Sequence, residues 1–193
     1  MSMVPTYTQA ISLWKTYNFP EQKQHHCLLV AKLALFFASK MKEKKQIIMQ
    51  TDLLLAAALL HDIDKNIPPK VGERHPDTGV RILQEVGMDE VAKVVRTHPL
   101  HAILDDTINP STWEEKLLFL ADKMTKHETI SVDARFALWR AEELSKEEVS
   151  ILDAAYPKVK ELEQFVCTSI GLTPEEVIEL AKRSILGDKG ELL

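Results

Sequence analysis

Apolar residues run without a break from Leu53 to Leu60, and the run closes on the pair His61-Asp62. A stretch with no polar face predicts a helix buried on all sides. Elsewhere the pattern is amphipathic. From Pro20 to about Lys42 apolar positions recur at helical spacing, and His26 falls in register with Leu29, Val30, Leu33 and Phe37. His26 therefore faces the core, whereas His25 shares a row with Lys32 and faces water or the boundary. A second apolar run, Leu117 to Ala121, closes on Asp122, and a stripe through Val94 and Val95 leads to His98.

Punctuation divides the rest of the chain. Ser111-Thr112-Trp113-Glu114, Ser145-Lys146-Glu147-Glu148 and Thr173-Pro174-Glu175-Glu176 each read as a capping box that opens a helix, with proline at the first helical position of the third. Thr51 or Asp52 is expected to cap the apolar helix, Pro76 to open another, and Gly87 to end it before a fresh start near Asp89. Pro68–Gly72 and Ile108–Pro110 read as loops. The sum is roughly eight to ten helices.

Composition agrees with that pattern. Only six glycines among 193 residues, with 45% hydrophobic residues, favour an all-α protein with one well-buried core. The expected architecture is a single-domain helical bundle over 1–193. Its core lies at about 22–126, and a C-terminal helical addition at about 133–187 lacks histidine. The net charge of −5 gives no basis for a bulk nucleic-acid or anionic-membrane surface, so phosphate binding would have to be local. Two distant cysteines without metal-ligand spacing suit a reduced, cytoplasmic protein. The N-terminus shows no signal-peptide pattern, and no segment reaches the ~20 apolar residues of a membrane span.

The chemistry concentrates at the ends of the apolar runs. His61 and Asp62 lie about 100° apart on a helix, so both reach one ion only near the helix end. A buried carboxylate such as Asp122 costs several kcal/mol unless it is paired, protonated or metal-bound. Lys123 projects about 100° away from Asp122 and is not its obvious partner; Arg135 is the alternative one. Asp62 has its own plain alternative, an ion pair with Lys65. His75 precedes Pro76, and His101 would share a face with His98 if the helix continued through Pro99. A lone core histidine is more often a structural hydrogen-bonder than a ligand. Several core-adjacent histidines with two buried aspartates in one small chain point instead to metal, and imidazole with carboxylate suits Mn, Fe, Zn or Co better than Ca.

These segments, His26-Cys27-Leu28-Leu29-Val30-Ala31, then Leu59-Leu60-His61-Asp62-Ile63-Asp64-Lys65, then Leu120-Ala121-Asp122-Lys123-Met124, resemble the His…His-Asp…Asp pattern of the HD-domain metal-dependent phosphohydrolase superfamily. The resemblance covers about residues 22 to 126. His75-Pro76-Asp77-Thr78-Gly79-Val80 and Arg96-Thr97-His98-Pro99 resemble the intermediate segments of HD domains that hold two metals. The Gly-Tyr-Pro element of the cyclic-dinucleotide phosphodiesterases is missing after His98. In size, and around Lys116–Met124, the chain is closer to the bacterial HD hydrolases that split diadenosine tetraphosphate, although His98-Pro99 stands where those carry His-Thr.

The resemblance implies a helical bundle holding divalent transition metal, two ions, with Fe or Mn foremost and Zn, Co, Ni or Mg also able to serve. His26, His61, Asp62 and Asp122 would hold one ion; Asp62 would bridge to a second, held also by His75 and His98. The implied reaction is cleavage of a phosphoester or phosphoanhydride bond in a nucleotide-like substrate through metal-activated water. Lys65 would balance phosphate charge or position that water, and His101 and Arg135 would contact substrate. The competing expectation is a non-catalytic nucleotide-sensing domain. The expected partner is a small phosphorylated molecule, with no membrane or bulk nucleic acid, and a homodimer stays open.

Overall fold

A computed structural model describes residues 2–187. It is built of helices: α1 (Tyr7–Thr16), α2 (Glu21–Lys45), α3 (Thr51–Leu60), α4 (Asp77–Glu85), α5 (Asp89–Arg96), a short 3-10 helix (Leu100–Leu104), α6 (Trp113–Lys123), α7 (Val132–Arg140), α8 (Lys146–Ile170) and α9 (Pro174–Gly187). Among the described residues the only β pairing is an isolated bridge between Thr125 and Thr129. The all-α expectation holds.

Helix α3 is the axis of the bundle. Every residue from Leu53 to Leu60 is buried, because α1, α2, α5 and α6 all pack against it. Each fully buried leucine contributes roughly 1.5–3 kcal/mol relative to exposure, so the run specifies its own central position. The indole Nε1 of Trp14 donates to the Leu59 carbonyl at 2.9 Å, pinning α1 to the end of α3 where the helix stops and the chemistry begins.

Helix starts follow the capping logic with two shifts. The box opening α6 is Thr112 with Glu115, one residue later than Ser111 with Glu114, because Thr112 has the extended backbone of an N-cap and accepts from the Glu115 N–H. Ser111 also bonds the Glu115 carboxylate, which makes the two readings hard to separate from sequence. At α3 neither Thr51 nor Asp52 caps. Gln50 occupies the cap without a side-chain bond, and its N–H donates to Glu114 Oε1 at 2.7 Å. The boxes at Ser145 and Thr173 form as expected. Helix α1, which the hydrophobic pattern did not single out, opens with a box of its own between Thr6 and Gln9.

The C-terminal helices complete the bundle. Helix α8 lies against α2, α6, α7, α9 and the 3-10 helix. It ends at Gly171, whose φ of 71° is the left-handed conformation in which a side chain would be strained. No helix among the described residues is long and apolar enough to cross a membrane.

Candidate metal centre and its cavity

Six side chains from five separate segments converge beside the end of α3. His26 comes from the first turns of α2, His61 and Asp62 follow α3 directly, and His75 precedes α4. His98 follows α5, and Asp122 sits in the last turn of α6. Ligand atoms of His26, His61 and Asp62 lie within 4.8 Å of one another, and so do those of Asp62, His75 and His98. Asp62 is common to both groups, the placement expected of a bridging carboxylate. Asp122 Oδ1 lies 3.0 Å from His26 Nε2 and 3.6 Å from His61 Nε2, on the first group's side. His25 is exposed, as its register predicted.

The imidazoles are oriented from behind. His61 Nδ1 lies 2.8 Å from the Ala58 carbonyl, and His98 Nδ1 2.5 Å from the Val95 carbonyl. A carbonyl only accepts, so both Nδ1 atoms carry the proton and both Nε2 atoms present a lone pair in the neutral ring. His75 Nδ1 similarly lies 2.9 Å from Asp64 Oδ2. Two consequences fit a metal. His61 Nε2 is buried without a hydrogen-bond partner. His75 Nε2 and His98 Nε2 face each other at 2.9 Å, an arrangement of two lone pairs that only a proton or a cation relieves. Burial holds His98 well below the ordinary imidazole pKa, helped by His61 and His75, so its ring is neutral and competent as a ligand.

Both aspartates remain anionic. Burial works to raise Asp62, but His61 and Lys65 outweigh it and hold the carboxyl far below its usual range. Asp122 is likewise held low against its burial, by Lys123, by the hydrogen bond from His26 and by the His61 ring 3.6 Å away. Two lysines contact Asp62 directly: Lys23 Nζ at 3.1 Å from Oδ2, and Lys65 Nζ at 3.5 Å from Oδ1. The Asp62–Lys65 ion pair and the Asp62 metal group therefore coexist in the geometry.

Three expectations change. Lys123 does pair with Asp122, at 2.5 Å, despite its direction on the helical wheel, and its Nζ also donates to the His98 carbonyl at 2.7 Å. A buried ammonium on a flexible stem bends back around the helix, which the wheel does not represent. Arg135 does not pair with Asp122; its Nε and Nη1 are buried without partners, and its guanidinium lies 4.5 Å from the centre of the Trp139 ring. His101 does not share a helical face with His98, because α5 ends at Arg96 and the chain restarts as a 3-10 helix after Pro99. The sequence reading also passed over Asp64 and Lys23. Lys23 had a signal, since it lies three residues before His26 on one helix. Asp64 had none, because it falls in the turns after α3.

The cluster floors a cavity of about 420 Å³. Its wall includes Lys65, His101 and Arg135, the three residues expected at the substrate, together with Lys23, Lys126 and His127. A chain of net charge −5 thus concentrates five cations, Lys23, Lys65, Lys123, Lys126 and Arg135, around two carboxylates.

The family model of the HD domain matches residues 24–154. No curated protein and no solved structure matches the chain. The matched span covers most of the sequence and contains all six converging side chains, so the chain belongs to the HD-domain superfamily of metal-dependent phosphohydrolases. Membership implies divalent-metal binding, and the donor set and unpartnered His61 Nε2 fit such an ion.

Proposed function

We propose that the protein is a phosphohydrolase acting on a phosphoester or phosphoanhydride of a nucleotide-like substrate, with two divalent transition-metal ions. His26, His61, Asp62 and Asp122 would hold one ion, and Asp62, His75 and His98 the other. When bound, such ions supply Lewis acidity toward phosphoryl oxygen and acidify water. The observation that carries the reading is the pair of donor groups sharing Asp62 at the floor of a cavity walled by lysines and by Arg135, whose Nε and Nη1 have no partner.

The protein's own residues divide the remaining work. Arg135, with two buried N–H groups lacking acceptors, binds non-bridging phosphoryl oxygens, and Lys126 adds charge on the same wall. Lys65 sits on Asp62 Oδ1 and is placed to exchange that contact for substrate or the attacking water. Lys123 acts as a positioning residue. It ties the Asp122 carboxylate to the backbone of His98 and so fixes the spacing between the two donor groups. Burial depresses the His101 imidazole, as do His75 and Lys123, so it contacts substrate as a neutral hydrogen-bonding ring.

The test is turnover. Protein loaded with Mn or Fe is expected to release phosphate or nucleotide from a panel of mono-, di- and dinucleotides and aryl phosphates. Asp62→Ala should lose nearly all of that activity and part of its metal while keeping its helical circular dichroism. A fully loaded protein that binds nucleotides but turns over none of the panel would replace the hydrolase with a nucleotide-sensing domain.

A further inference from the structure

A second cavity of about 300 Å³ adjoins the metal cavity and shares Leu100, His101 and Trp139 with it. The two are lined by opposite chemistry. Around the first stand lysines and Arg135. The second is walled by Leu144, Ile151 and Leu152 and carries the carboxylates of Glu142 and Glu148. Its position follows from the C-terminal half of the chain. Trp139 lies in the last turn of α7, Glu142 and Leu144 in the segment that links it to α8, and Glu148, Ile151 and Leu152 belong to the first turns of α8.

An anionic phosphate chain is drawn to the first cavity and repelled from the second. A flat apolar ring with N–H donors at its edge has the reverse preference: leucine and tryptophan surfaces remove it from water, and carboxylates accept from its edge. Trp139 stands at the junction, with the Arg135 guanidinium against its ring at 4.5 Å, so ring binding and phosphate binding meet at one pair of side chains. Glu148 Oε2 already accepts from Ser145 N–H at 2.8 Å and from its hydroxyl at 2.7 Å, which leaves Glu142 as the carboxylate better placed to read an incoming ring.

The geometry points to a nucleobase subsite in this second cavity, taking an amino-bearing heteroaromatic ring such as adenine while its phosphates occupy the metal cavity. The inference rests on the phosphohydrolase reading for the orientation of the substrate. It goes further in naming the ring and the residues that select it: Ile151 for the apolar wall and Glu142 for the amino group.

Binding separates this subsite from the chemistry. The probes are the methylene-bridged, non-hydrolysable analogue of ADP, the same analogue without the ring amino group, and methylenediphosphonate, each titrated calorimetrically into metal-loaded protein. The ADP analogue is expected to bind at least about ten-fold tighter than methylenediphosphonate, and about ten-fold tighter than the analogue lacking the amino group, the size of a charge-assisted hydrogen bond. Ile151→Gln should shrink the first ratio several-fold, and Glu142→Gln should shrink the second. Equal affinity for the ADP analogue and methylenediphosphonate in the unmodified protein would overturn the subsite, as would ratios unmoved by either substitution. Turnover of nucleotides would still stand in that case. Conversely, ring-dependent binding without turnover would remove the phosphohydrolase reading and leave the subsite.

Discussion

At the residue scale the centre depends on which atoms stand behind the ligands as much as on the ligands themselves. Asp64 orients His75 as the Val95 carbonyl orients His98, and such outer contacts commonly cost ~10–100-fold in metal affinity or activity when removed. Asp64→Ala is therefore expected to weaken the ion on the His75–His98 side by that order, read by metal titration, while the ion on the His26–His61 side remains. His98→Ala should go further and lower the metal content from about two to about one per chain, the difference between a dinuclear and a mononuclear site. Full metal content in both variants would return His75 and His98 to the scaffold. His26→Ala should lose metal and activity and His25→Ala should retain both, because only the former lies against Asp122; metal loss in the His25 variant alone would reverse the assignment. The His25–His26 distinction was legible in the sequence because a long regular helix makes periodicity a reliable compass. Asp64 and the Lys123–Asp122 pair were not. One lies where the helix has ended and direction no longer repeats, and the other depends on a side chain long enough to defeat its own Cβ vector.

At the scale of elements, four helix ends and one linking segment deliver the donors, and the linking segment between α3 and α4 has the least regular structure to hold it. Glu73 compensates. It accepts from Arg81 Nε at 2.5 Å and Nη2 at 3.2 Å, from Thr78 Oγ1 at 2.8 Å and from Lys70 N–H at 2.8 Å, fastening the approach to His75 onto α4. These bonds, Arg81's first, lower the Glu73 pKa from 4.5 to about 2. A depressed folded-state pKa contributes stability that is fully present above the unfolded value and is lost as pH falls through the folded one. The window therefore runs from about 4.5 down to about 2. Glu73→Gln should be less stable than the parent protein at neutral pH, and the difference in denaturation midpoint should narrow across that window as acid removes the parent's advantage. A pH-independent difference would mean that the carboxylate's charge is not what holds the segment. Most elements were legible from pattern and caps: α2, α3, α5 and α6 each follow from an apolar run with punctuation at its ends. The break after α5 was harder to read, because Pro99 is compatible with a kinked continuation as well as with a fresh 3-10 start. Helix α1 was legible too, since Thr6 and Gln9 stand three apart and Tyr7, Ala10, Ile11 and Trp14 recur at helical spacing, but the hydrophobic pattern was not followed there; its register is set by Trp14 reaching α3.

At the scale of the whole molecule, the metal centre is a fastening between segments far apart in sequence. His26 and Asp122 lie 96 residues apart and still meet at 3.0 Å. An ion held by such donors binds the folded chain and has no equivalent site in the unfolded one, so binding adds to global stability by mass action. At free metal one hundred times the dissociation constant the gain is about 2.7 kcal/mol for one site. For a chain of this length each kcal/mol moves the melting temperature by roughly 2–4 °C. Removing metal with a chelator should therefore lower the melting temperature by roughly 5–10 °C per site at that saturation, and restoring Mn or Fe should recover it. The metal-free centre favours the ion, because without it His61 Nε2 is buried unpartnered and the Nε2 atoms of His75 and His98 oppose each other. His98→Ala should reduce the shift toward that of a single site, since the opposed pair and one ion disappear together. An unchanged melting temperature on chelation of protein shown to contain metal would place the ion somewhere other than this junction of five segments.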